Sequence, residues 1–184
     1  PLKLLYRIDD GILAEHVDQK GQLIYLISHQ SRMDPALMLA RLPADTLHML
    51  DPRSTTHTLT NWFRPLARST IFGADKVLKN RRIFSQLSMG ARIAVYMPHQ
   101  VEPDQKTFRL YRAVAHIAKA ANAKVIAIHP GGARFLPSSY YPANEMPPSR
   151  FPKLRLAARP AETLDSLMAK AGPARSNIAN AMFD

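Results

Sequence analysis

Residues 23–43 read LIYLISHQSRMDPALMLARLP, and this stretch decides how the rest of the chain is read. Leu23-Ile24-Tyr25-Leu26-Ile27 is an apolar run with the length and the β-branched and aromatic content of a buried strand. It runs straight into the polar turn Ser28-His29-Gln30-Ser31-Arg32, after which Met33, Leu37, Met38 and Leu42 fall at helical spacing. His29 is therefore expected at the carboxyl end of a strand, with Asp34 in the first turn of the next helix. In open α/β sheets that crevice is where ligands bind. A His and an Asp five residues apart across such a turn can fold back on each other. The carboxylate then accepts a hydrogen bond from one imidazole nitrogen and leaves the other as a base. The plainer alternative is a strand-to-helix turn in which Asp34 only favours the helix amino end.

Outward from this stretch, strand and helix signals alternate. Candidate strands are Thr46 to Leu50, Thr70 to Gly73, Arg92 to Met97 stopping at Pro98, Lys124 to His129 ending at Pro130, and Leu154 to Ala158. Leu2 to Ile8 reads as an edge strand or short helix, and Asp9-Asp10-Gly11 as a turn. Helices are expected over Arg81 to Met89 with Gly90 as carboxyl cap, Lys106 to Ala121, Thr163 to Lys170 and Ala174 to Phe183. Trp62, Phe63, Leu66 and Ala67 would form the apolar side of a further helix, packed in the core or against a membrane. Phe135 to Phe151, rich in Pro, Ser and Tyr, reads as a long surface loop of the kind that is functional or mobile. The pattern predicts an α/β fold with a mostly parallel central sheet flanked by helices. One domain over residues 1–184 is expected, and an initial Pro is compatible with a piece excised from a longer protein.

Composition narrows the function classes. The chain has 184 residues, 46% of them apolar, enough for a sizeable core. There is no Cys, hence no disulfide framework, thiolate nucleophile or thiolate-bound metal. No Asp/Glu/His set has metal-ligand spacing, and no cofactor is expected. No apolar stretch approaches the roughly 20 residues of a membrane-spanning helix, and no signal peptide is visible. The net charge of +11 argues for an anionic partner. The basic residues are scattered, with no nucleic-acid-binding signature, so nucleic acid is not the expected partner.

The strand followed by His29-Gln30-Ser31-Arg32-Met33-Asp34-Pro35 resembles the His-x4-Asp motif of the glycerolipid acyltransferases, which acylate glycerol phosphate and lysophospholipids. The resemblance runs from about Tyr6 to about Pro160. It is best to the acyltransferase half of bacterial acyl-carrier-protein synthetase/acylglycerophosphoethanolamine acyltransferases. It is carried by Ser28 to Pro35, Trp62 to Leu66 (WFRPL), Ile93 to Pro98, Phe108 to Ala121, Val125 to Gly132 and Phe151 to Leu156. It implies His29 as general base oriented by Asp34 and direct attack without an acyl-enzyme. The donor would be acyl-carrier protein or acyl-CoA, and the acceptor a lysophospholipid or glycerol phosphate. The implied location is cytoplasmic, at the inner, anionic face of the cell membrane.

Candidates for holding the acceptor are Arg32 beside the dyad, Lys76, Arg81 and Arg82 as phosphate-binding cations, and His99 at the family's third motif. Ser31 is read as a helix cap or a hydrogen-bonding group of the site. Each of the cations has solvated helix surface as its plainer reading. The sequence departs from the family at that third motif: Met97-Pro98-His99-Gln100 stands where Phe-Pro-Glu-Gly is usual. The alternative reading is thus a non-catalytic lipid- or carrier-binding relative with a degenerate acceptor motif.

Overall fold

A computed structural model describes residues 8–17, 19–50, 58–63, 65, 68–71, 81–98 and 105–171 of the chain. In order, the elements are α1 (Gly11–Val17), β1 (Leu23–His29), α2 (Asp34–Leu39), β2 (Leu47–Leu50), α3 (Thr58–Phe63), β3 (Ser69–Ile71), α4 (Arg81–Ser88), β4 (Arg92–Pro98) and α5 (Gln105–Ala120). There follow β5 (Lys124–Gly131), a 3-10 turn (Ala133–Phe135), β6 (Arg155–Ala158), β7 (Glu162–Thr163) and α6 (Leu164–Ala171).

The strands form one sheet in the order β3-β2-β4-β1-β5-β6, with β7 also paired to β5. The pairs β1/β4, β1/β5, β2/β3 and β2/β4 are parallel, while β6 and β7 run antiparallel to β5. This is the expected α/β architecture with a mostly parallel sheet. β1 lies at its centre because its five leading residues are apolar on both faces, as a strand covered on both sides requires. Ile24 and Leu26 enter one core with Ile93 and Val95 of β4, Ile83 and Leu87 of α4, and Val114 and Ala118 of α5. Leu23, Tyr25 and Ile27 enter the other with Leu13 and Val17 of α1, Leu37 and Met38 of α2, and Leu154 and Leu156 near β6. Side chains alternate across a strand, so His29 falls on the second face, on the side of α2.

α5 ends where Asn122 adopts a left-handed φ of 50° and the Ala123 N–H reaches back to the Ala118 carbonyl at 2.8 Å. Gly90, at φ 83°, performs the same turn after α4. Two expectations are corrected. Gly11 does not complete a turn but opens α1, with its N–H directed at the Asp9 carboxylate. β5 does not stop at Pro130. Its pairing with β1 ends at Ile128, and beyond it pairs only with β6, opposite Leu156, so the missing Pro N–H costs no bond to β1. The candidate strand over Leu2 to Ile8 (apart from the buried Ile8) and the helix over Ala174 to Phe183 lie outside the described residues. Among the described residues, no helix is long and apolar enough to cross a membrane.

Candidate active site

The site is built where β1 turns into α2. β1 delivers His29 to the carboxyl end of the sheet, next to Pro98 at the end of β4. The turn then closes by the Asp34 N–H bonding the Ser31 carbonyl at 3.0 Å. Pro35 follows as an early helical residue, where its missing N–H is no loss. This geometry swings the Asp34 carboxylate back over the turn. Its Oδ2 accepts the Gln30 N–H at 2.6 Å and the Ser31 N–H at 2.8 Å. His29 Nδ1 lies 3.3 Å from the same oxygen. Asp34 is fully buried and His29 is 4% exposed.

A carboxylate only accepts, so Nδ1 carries the hydrogen toward Asp34 and Nε2 keeps its lone pair. On that side the Tyr140 hydroxyl lies 3.1 Å from Nε2, with the two rings edge to face at 4.9 Å. Tyr140 comes from the segment after β5. That segment is not a detached surface loop. The Tyr140 N–H bonds the Gln30 carbonyl at 3.0 Å, the Arg32 N–H bonds the Ser138 carbonyl at 3.0 Å, and Ser31 Oγ meets Ser138 Oγ at 2.8 Å. The segment can approach because Gly132, at φ 86°, turns without a side chain directly against the backbone of Lys153.

Behind His29, Tyr96 of β4 places its ring edge to face at 5.5 Å and its hydroxyl 2.8 Å from Nδ1 of His48 on β2. Burial and the nearby Asp34 carboxylate push the Tyr96 phenol well above its usual range, so it stays protonated. Burial lowers His48 from 6.5 to about 4, so it is neutral near pH 7. Gln30 is also buried, its amide nitrogen 3.2 Å from His129 Nε2.

Of the candidates read from the sequence, His29, Asp34 and Ser31 come together here. Ser31 does not cap α2, whose N-cap position is held by Met33 without a side-chain bond. Its hydroxyl instead accepts the Met33 N–H at 3.0 Å and ties the turn to Ser138. Arg32 projects from the turn, exposed, while its carbonyl accepts the Thr60 hydroxyl of α3 at 3.2 Å. Arg81 and Arg82 open α4, but their side chains lie outside the described residues, as do Lys76 and His99. Trp62 on α3 is 77% exposed rather than packed in a core. Phe63's side chain and residues Leu66 and Ala67 are outside the described set. Among the described residues, no group of three His, Cys, Asp or Glu side chains could hold a metal ion.

Three residues around the dyad escaped the sequence reading: Tyr140, Tyr96 and His48. The Pro-Ser-Ser-Tyr-Tyr run in a long segment was the one available hint for Tyr140.

No protein-family model matches the chain, and no curated protein does. Among solved structures it is similar to the crystal structure of the 1-acyl-sn-glycerophosphate (LPA) acyltransferase PlsC from Thermotoga maritima. The match covers 96% of this chain and 67% of that one, at 14% identity and a TM-score of 0.54. At that identity the likeness shows the fold alone: a mostly parallel α/β framework shared with that structure.

Proposed function

We propose that this chain transfers a fatty acyl group from a thioester to a hydroxyl of a lysophospholipid or glycerol phosphate. The observation that carries the reading is the His29–Asp34 contact at the carboxyl end of the parallel strands, in a fold shared with an acyltransferase. A free alcohol is a poor nucleophile near pH 7. His29 Nε2 takes its proton as the alcohol oxygen attacks the thioester carbonyl. Asp34 holds the ring's tautomer and stabilises the imidazolium. The C–S bond then breaks, and the thiolate leaves with the proton returned by His29. The donor is acyl-carrier protein or acyl-CoA, both anionic, as are the acceptors and the lipid surface presenting them. The net charge of +11 supports all of these. Exposed Arg32 and Trp62, the latter on the helix bonded to the motif turn, support docking on an anionic membrane.

One observation favours the second reading, a non-catalytic binding relative: Nε2 is engaged by Tyr140 and the ring is buried.

The test is transfer of label from acyl-carrier-protein and acyl-CoA thioesters to a panel of lysolipids in anionic vesicles, with vesicle sedimentation recorded in parallel. His29→Ala and Asp34→Asn are expected to lower transfer by about 10²- to 10⁴-fold. Equal transfer by wild type and both variants removes the catalytic assignment. Protein left in the supernatant removes the membrane one.

A further inference from the structure

We propose that Tyr140 is the gate of this site: its phenol occupies the place at His29 Nε2 that the acceptor hydroxyl takes, and the acceptor enters when that side chain alone turns out. The inference rests on the acyl-transfer reading for its meaning, though not for its physical test. Nε2 has one lone pair and accepts one hydrogen bond, now directed at the Tyr140 hydroxyl 3.1 Å away. The imidazole is 4% exposed, so an alcohol cannot reach Nε2 while the phenol stays.

Two motions would clear the position, and their costs differ. Lifting the whole segment breaks the bonds from Tyr140 N–H to Gln30, from Arg32 N–H to Ser138 and between the Ser31 and Ser138 hydroxyls. It also strips the Met33-bonded Ser31 hydroxyl of its second partner. Turning the phenol about its own side-chain bonds keeps those three bonds and gives up the hydrogen bond to Nε2 and the edge-to-face contact with His29. Tyr140 is only half-buried, so its ring has an outward path. One neutral hydrogen bond corresponds to roughly a 2- to 10-fold population bias. Three lost together reach roughly 10- to 1,000-fold, so rotation is the motion that wins.

A closed fraction taxes apparent affinity in proportion to the open population. The gate therefore raises the acceptor KM and keeps water off the base until a hydroxyl with enough binding energy arrives.

The experiment uses the full chain with Tyr140→Phe and Tyr140→Ala. The first readout is the rate at which diethyl pyrocarbonate modifies His29, followed by peptide mass spectrometry. It is expected to rise about 2- to 10-fold in Tyr140→Phe, from loss of the one hydrogen bond, and further in Tyr140→Ala. The second readout is the lysolipid KM, expected to fall by a similar 2- to 10-fold in Tyr140→Phe. Unchanged His29 modification in both variants overturns the gate. So does a fall in kcat at constant KM, which would make the phenol a proton relay, or an acyl adduct on Tyr140, which would make it a nucleophile. If wild type transfers no acyl group yet His29 modification accelerates, the gate stands and the acyl-transfer reading falls.

Discussion

His29 and His48 sit on the same face of the sheet, on the two strands that flank β4, and Tyr96 stands between them with its ring against both. Both are buried, and each has a phenol at a ring nitrogen: Tyr140 for His29 and Tyr96 for His48. The difference is one carboxylate. His48 hydrogen-bonds a phenol rather than a carboxylate and is held neutral down to about pH 4 by burial. His29 faces Asp34, which is itself fixed by two backbone N–H groups. Burial by itself thus makes a histidine that refuses a proton. Beside His29 a preorganised carboxylate instead holds the ring at Nδ1. The phenols differ too: the one on His48 is fixed in a strand, the one on His29 arrives from a loop segment.

Removing the carboxylate is the strongest way to break this contrast. Asp34→Ala leaves the Gln30 and Ser31 N–H groups and His29 Nδ1 without their shared acceptor. Each buried N–H left unsatisfied costs about 1–3 kcal/mol, to be read as a lower urea midpoint. Asp34→Asn retains an oxygen for the two N–H groups, so most of that stability should return while transfer stays low. Equal stability losses in the two variants would mean the carboxylate is mainly a charge partner rather than a bracket for the turn.

His48 sharpens the other side. Its native pKa lies below its ordinary 6.5, at about 4, so between those values the unfolded chain binds the extra proton and the folded one does not. Its contribution to stability is therefore complete above pH 6.5 and is lost as the pH falls through 4, a loss of roughly 3 kcal/mol. In His48→Gln, which does not titrate, the drop in stability between pH 7 and pH 4 should shrink by about that amount. Parallel stability–pH curves for wild type and variant would show that His48 is not the group being charged.

The parts of this arrangement that the sequence exposed are those written locally. The apolar run of β1, the polar turn and the spacing of Met33, Leu37 and Met38 place His29 and Asp34 within one strand–turn–helix unit. α4, β4 and α5 were legible for the same reason, from periodicity and a Gly after the last turn. What periodicity does not encode is partnership at a distance. Tyr140 meets His29 across 111 residues and His48 meets Tyr96 across 48. Residues 135–151 carry no repeating pattern that would announce which side chain turns inward. Pro130 misled because a local rule ends strands at Pro, whereas the change of partner from β1 to β6 decided the matter. For Trp62 apolar content alone left core and membrane-facing packing open, and the exposure of that ring removes the core alternative.

The loop origin of the His29 phenol offers the mildest perturbation. Gly132 holds φ 86°, and a Cβ there would collide with the Lys153 carbonyl oxygen, so Gly132→Ala must displace one backbone or the other. Strain of this type costs roughly 2 kcal/mol. Gly132 leads into the segment that carries Ser138 and Tyr140, so the strain falls at its base and outside β2 and β4. The substitution should therefore speed His29 modification and leave the acid dependence set by His48 unchanged, since the hydrogen bond and ring contacts of His48 and Tyr96 go to each other and to His29. If both histidines respond alike, the two phenol contacts are coupled through the sheet. The separation of a fixed neutral histidine from a gated reactive one would then fail.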